Sequence, residues 1–143
     1  MGQQQDTPGF ATDPAAPQAP REALKGLRVL IVEDERLVAL TIEEMLAEIG
    51  CVAAGVAASV KEALWAVRSG PAIDAAILDV NLGPEQVFPV ADELAARGVP
   101  FVFSTGYGPA DLSHRYPGRA VLHKPYRPGV LALTLSGLHG PDA

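Results

Sequence analysis

A single cysteine, few aromatic side chains and no surplus of positive charge set the first limits on this chain of 143 residues. With Cys51 alone, no intrachain disulfide is possible, and a thiolate metal site lacks its other ligands. Cys51 stands in an apolar run, where a small buried thiol is the expected state. Against 17 acidic residues there are only 11 basic ones, a net charge of −6. Sequence-independent nucleic-acid binding needs a basic surface to displace counterions from phosphates, so no nucleic-acid partner is expected. The acidic surplus serves solubility and would suit a basic protein partner. No apolar run approaches the roughly 20 residues of a membrane helix, and no membrane partner is expected either. The first 20 residues have neither the basic nor the apolar region of a secretory signal, which points to the cytoplasm.

What is present is 48% hydrophobic, enough for one domain with a core. Residues 1–22 are mostly Gln, Ala, Asp, Thr and Pro, with prolines at 8, 14, 17 and 20. Such a segment buries too little apolar surface to offset its ordering entropy, which predicts a disordered leader over 1–22 and a folded domain over 23–140.

From Gly26 the pattern changes to short apolar runs alternating with helical stretches. Residues 27–32 form a short apolar run rich in β-branched residues and too short for a helix, and with the apolar runs 51–57, 75–80, 99–104 and 120–123 they are predicted as five strands. A helix is predicted over 36–49, with Leu37, Leu40, Met45, Leu46 and Ile49 as its apolar face and Gly50 closing it. A second runs over 60–68, where Ser59 and Glu62 have the spacing of a capping box. Pro89 suits the first turn of a third, to about residue 97, after a loop over 81–88; Pro128 opens a last one to residue 138. Residues 106–119 are dense in Gly and Pro and lack an apolar face, so any helix there, within 110–116, is short or mobile. Strands apolar throughout and joined by helices imply a doubly wound α/β fold, a parallel sheet covered on both faces.

Ligands of such sheets bind at the carboxyl ends of the strands. The first strand ends in Glu33 and Asp34, the third in Asp79, the fourth in Ser104 and Thr105, and the fifth just before Lys124. Singly, an acid after a strand is most often a helix cap or a solvated loop residue, and a lone Thr or Lys says less. Together they form a constellation with assignable chemistry. Carboxylates are hard oxygen ligands suited to Mg²⁺, which takes one or two of them and keeps several waters. An ionised Asp can attack phosphorus to form an aspartyl phosphate. A lysine ammonium and a threonine hydroxyl can each hold a phosphoryl oxygen.

With these motifs in place, the sequence resembles the receiver domains of bacterial two-component response regulators, over about residues 27–138. The motifs stand here as Val32-Glu33-Asp34-Glu35, Leu78-Asp79-Val80-Asn81-Leu82, Phe103-Ser104-Thr105-Gly106-Tyr107-Gly108 and His123-Lys124-Pro125-Tyr126. The third is similar to the "FAT GUY" subfamily, with Ser104 in place of its usual Ala. The resemblance implies a flavodoxin-like five-stranded sheet in the order 2-1-3-4-5. It implies phosphorylation of Asp79 by a sensor histidine kinase or histidine phosphotransfer protein. It implies Mg²⁺ as cofactor, held by Glu33, Asp34, Asp79 and the backbone carbonyl of Asn81. Thr105 and Lys124 would bind phosphoryl oxygens, across a cis Lys124–Pro125 bond. Two departures stand out. Glu33 replaces the more common Asp. The position of the usual switch aromatic, three before the lysine, is Val121, which makes Tyr107 the candidate replacement.

Three functions compete on this sequence. In the first, a single-domain phosphoacceptor signals to a downstream protein through the face of strands four and five, or drains a shared kinase as a phosphate sink. Residues 139–143 leave no room for an output domain in this chain. The second is a small Mg²⁺-dependent phosphohydrolase with Asp79 as nucleophile, but such enzymes generally need a second Asp two residues on, where this chain has Asn81. The third, a degenerate receiver used only for binding, predicts loss of Asp79 or Lys124, and both are present. The expectation is therefore a signalling domain rather than an enzyme, its only chemistry being its own phosphorylation and dephosphorylation.

Overall fold

The computed structural model describes residues 21–106 and 116–138. Its elements in chain order are α1 (Arg21–Leu24), β1 (Arg28–Val32), α2 (Arg36–Glu48), β2 (Val52–Ala57), α3 (Val60–Ser69) and β3 (Ala75–Asp79). They continue as β4 (Asn81–Leu82), β5 (Glu85–Gln86), α4 (Phe88–Ala96), β6 (Phe101–Thr105), β7 (Val121–His123) and α5 (Pro128–Leu138). The five strands β2-β1-β3-β6-β7 form one parallel sheet in that order, and β4 and β5 pair as a separate antiparallel hairpin. Once the hairpin is set aside, this is the order 2-1-3-4-5.

Each face of the sheet carries its own apolar layer because successive side chains alternate sides. Val29, Ile31, Ile77 and Val102 pack with Ile42, Leu46, Leu131 and Leu135 under α2 and α5. Leu30, Leu78, Phe101 and Phe103 pack with Val90, Ala91 and Leu94 on the side of α4. The central strands β3 and β6 are buried at every position.

Helix α2 corrects the predicted face. Leu37 is 78% exposed and Leu40 49%, while Ala39, Ile42, Met45 and Leu46 are buried. The stripe through 37 and 40 runs on into Glu44 and Glu48, whereas that through 39, 42 and 46 stays apolar, and burial follows the uninterrupted one. Gly50 ends this helix at φ +91°, the left-handed conformation that glycine adopts without steric penalty.

Ser59 caps α3 by accepting a hydrogen bond from the Glu62 N–H at 3.1 Å. Glu62 reaches back one residue further than a capping box requires, to the N–H of Ala58 at 2.9 Å. Ser59→Ala should cost about 1 kcal/mol, read as a lower denaturant midpoint at unchanged slope. An unaltered midpoint would show that the cap contributes nothing.

Two further corrections concern short elements. Residues 81–88, predicted as loop, contain the β4–β5 hairpin, and α4 begins at Phe88 with Pro89 in its first turn. Helix α1 starts inside the predicted leader, because Leu24 is 1% exposed and joins the layer under α5. The rest of the leader, most of the stretch expected to be short or mobile, and Tyr107 lie outside the described residues.

Candidate phosphoacceptor site

The parallel register brings the strand ends together at one edge. Val32 pairs with Leu78, Asp79 with Ser104, and Thr105 with His123. Glu33 therefore emerges beside Asp79, and Lys124 emerges beside Thr105, whose carbonyl accepts the Lys124 N–H at 2.9 Å. Asn81 opens β4, and its N–H faces Asp79 Oδ1 at 3.4 Å. In the β4–β5 turn, Gly83 adopts φ +60°, and a Cβ there would lie 3.6 Å from Asp34 Oδ2, so the hairpin sits against the acid cluster.

Glu33, Asp34 and Asp79 each offer a carboxylate oxygen within 4.8 Å of the others. Glu33 is 2% exposed and Asp79 8%, while Asp34 faces solvent. Both oxygens of Glu33 are engaged: Oε2 accepts the Glu35 N–H at 3.1 Å, and Oε1 accepts Lys124 Nζ at 2.8 Å. The same ammonium reaches Asp79 Oδ2 at 3.3 Å. Thr105 is buried at the end of β6. The expected site residues Glu33, Asp34, Asp79, Asn81, Thr105 and Lys124 are thus neighbours at one sheet edge. The cis Lys124–Pro125 peptide is present as expected.

Three carboxylates around one ammonium leave an excess of negative charge in a poorly hydrated place. Burial, a hydrogen bond shared with Glu33 and the Glu33 charge push the Asp79 carboxyl up to about 7, against the opposing pull of Lys124. Burial alone would lower the Lys124 ammonium, but its hydrogen bond to Glu33 and the charges of Asp79 and Glu33 prevail and raise it. The site is built to receive positive charge.

Sequence reasoning missed Tyr126 as part of this neighbourhood. Its ring packs against the layer under α2 and α5, and the charges of Glu33 and Asp79 reach its hydroxyl. A hydroxyl two residues after the lysine, facing a strand-end serine, was the available signal.

No family model and no curated protein matches the sequence. Solved structures do. The chain is similar to SdrG from Sphingomonas melonis at 44% identity, over 79% of this chain and 96% of SdrG, with a TM-score of 0.70. It is similar to the REC domain of the response regulator PhyR from Erythrobacter litoralis at 26% identity, over 85% of this chain and 98% of that domain, with a TM-score of 0.73. A response regulator receiver protein from Sinorhizobium medicae matches at 25% identity, over 80% of this chain and 95% of its own, with a TM-score of 0.71.

Proposed function

We propose that this chain, which belongs to the receiver domains of response regulators, accepts a phosphoryl group on Asp79 from a phosphohistidine donor. The observation that carries this reading is the convergence of Glu33, Asp34 and Asp79 within 4.8 Å, with Lys124 bonded to two of them. A carboxylate oxygen of Asp79 attacks phosphorus, a P–O bond forms, and the P–N bond to the donor imidazole breaks. The leaving imidazole takes a proton, and the product is an acyl phosphate.

The donor set fits Mg²⁺, since it consists of hard carboxylate oxygens with one member, Asp34, open to solvent. Glu33, Asp34, Asp79 and the Asn81 carbonyl would hold the ion, which when bound supplies charge neutralisation for the phosphoryl oxygens. Thr105 donates its hydroxyl to one of those oxygens, and Lys124 turns from Glu33 to another. The donor is a sensor histidine kinase or a histidine phosphotransfer protein. Output then passes to a downstream protein through the face of β6 and β7, or the domain serves as a phosphate sink. Its chemistry is limited to its own phosphorylation and dephosphorylation.

The direct test is incubation with a small phosphodonor, with and without Mg²⁺. An Mg²⁺-dependent label that base and hydroxylamine release supports an acyl phosphate, and absence of label from the protein refutes the reading.

Lys124→Ala probes the step after transfer. The variant should still bind Mg²⁺ but lose the spectral change caused by a phosphoryl mimic, because the ammonium balances charge that exists only after the group has arrived. A response equal to that of wild type would remove Lys124 from the switch.

A further inference from the structure

The first turn of α3 is held in part by a residue from outside the helix. Ser59 accepts the Glu62 N–H and Glu62 accepts the Ala58 N–H, so two bonds of the cap are local. The Val60 N–H, the first of the helix, donates instead to Glu85 Oε1 at 3.1 Å, 25 positions further along the chain. Glu85 opens β5, the outgoing arm of the hairpin beside the acid cluster. Its carboxylate satisfies an N–H that the helix leaves unpaired, at the end where the peptide dipoles favour negative charge.

The hairpin has an anchored body and an exposed tip. Leu82 and Val87 are 2% and 0% exposed in the layer on the side of α4, and the Val87 N–H donates to the Val80 carbonyl at 3.1 Å. Residues 83–84, the tip, are exposed. Yet this tip has to keep a fixed place, because a Cβ on Gly83 would lie 3.6 Å from Asp34 Oδ2. Glu85 pairs with Leu82 across the turn, so its bond to Val60 joins the tip to the rigid first turn of α3.

We propose that Glu85 is a positioning residue for the metal: by clamping the hairpin to α3, it presets the turn against Asp34 and keeps Asn81 beside Asp79. This rests on the Mg²⁺-dependent phosphoacceptor reading of the site. Glu85 is not a ligand and acts through the backbone of residues 81–84. Without the clamp, the arriving ion would have to order the turn itself, and its affinity would fall by that cost.

The bond can be broken from either side in the full chain. Glu85→Ala removes the acceptor. Val60→Pro removes the donor at a position that accepts proline, the first of the helix. Ser59 before it already has the extended backbone, φ −147° and ψ 164°, that a following proline requires. In calorimetric titration with Mg²⁺, each variant should bind about fivefold more weakly than wild type, the scale of one lost hydrogen bond. The double variant should lose no more than either single one. Glu85→Gln keeps an acceptor without the charge and should restore most of the affinity. Glutamine as weak as alanine overturns the proposal, since the charge would then be attracting the ion from a distance. Additive losses in the double variant overturn it too, because the two residues would be acting independently. So does a loss in Glu85→Ala that merely tracks a large drop in metal-free melting temperature, the mark of a generally loosened fold. Unchanged affinity in both single variants refutes the clamp and leaves the site standing. A wild type that binds no Mg²⁺ refutes the metal site, and the clamp with it.

Discussion

Asp79→Asn should eliminate acid-labile and base-labile phosphoryl label from any donor, a fall on the order of a thousandfold or more, the scale set by removing the nucleophile of a covalent mechanism. The geometry makes Asp79 the acid to test. It closes β3 at the centre of the sheet, with Glu33 following β1 on one side, Ser104 of β6 on the other, and the Lys124 ammonium 3.3 Å from its Oδ2. Glu33 is a poor substitute, since its two oxygens are held by Lys124 and the Glu35 N–H. Asp34 is exposed, and unlike Asp79 it makes no ion pair with Lys124 among the described residues. Asn keeps the shape of the side chain and loses the nucleophilic oxygen, so folding is preserved and the effect is chemical. If the variant labels as strongly as wild type, the nucleophile lies elsewhere, and Asp34→Asn becomes the decisive comparison.

The same substitution should stabilise the metal-free protein at alkaline pH. Burial and Glu33 raise the Asp79 carboxyl from 3.8 to about 7 in the fold, and unfolding releases it. A raised folded value means that the stability is complete below about pH 4 and is lost as pH climbs through about 7. Above that window the ionised carboxylate should cost on the order of 2–4 kcal/mol, since each tenfold change in proton affinity between the folded and unfolded states is worth roughly 1.4 kcal/mol. Asp79→Asn should therefore melt above wild type at pH 8 and close to it at pH 4. Mg²⁺ should offset the cost in wild type: at ten times its dissociation constant the gain is about 1.4 kcal/mol, a rise of a few degrees in melting temperature. The variant should lose most of that response. Melting curves at both pH values, with and without Mg²⁺, decide the matter. A variant less stable than wild type at pH 8, with no Mg²⁺ response in wild type, would show that the carboxylates do not oppose one another.

These effects concern residues that sequence alone could place, and the reason is topological. In a parallel sheet every strand points the same way, so the residues that end the apolar runs, Glu33, Asp79, Thr105 and Lys124, gather at one edge however long the connections are. What periodicity could not settle was a choice between overlapping patterns. Helix α2 offers two apolar stripes, and Leu37 and Leu40 suggested the wrong one because large side chains outweigh Ala39 in any count of hydrophobicity. The hairpin of β4 and β5 escaped because two residues per strand are too few to show alternation.

The outer strand β2 carries a consequence for colloidal behaviour. Residues 51–60 contain no charge and no proline, the two devices that most often keep a sheet edge from recruiting another chain. Its register with β1 skips one residue, from Ala53 opposite Val29 to Gly55 opposite Leu30, so Ala54 is an insertion in the ladder. A bulge bends the strand, increases its twist and interrupts the regular row of donors and acceptors that an incoming strand would need. Ala54 thus interrupts this outer edge by geometry, where the side chains supply neither charge nor proline.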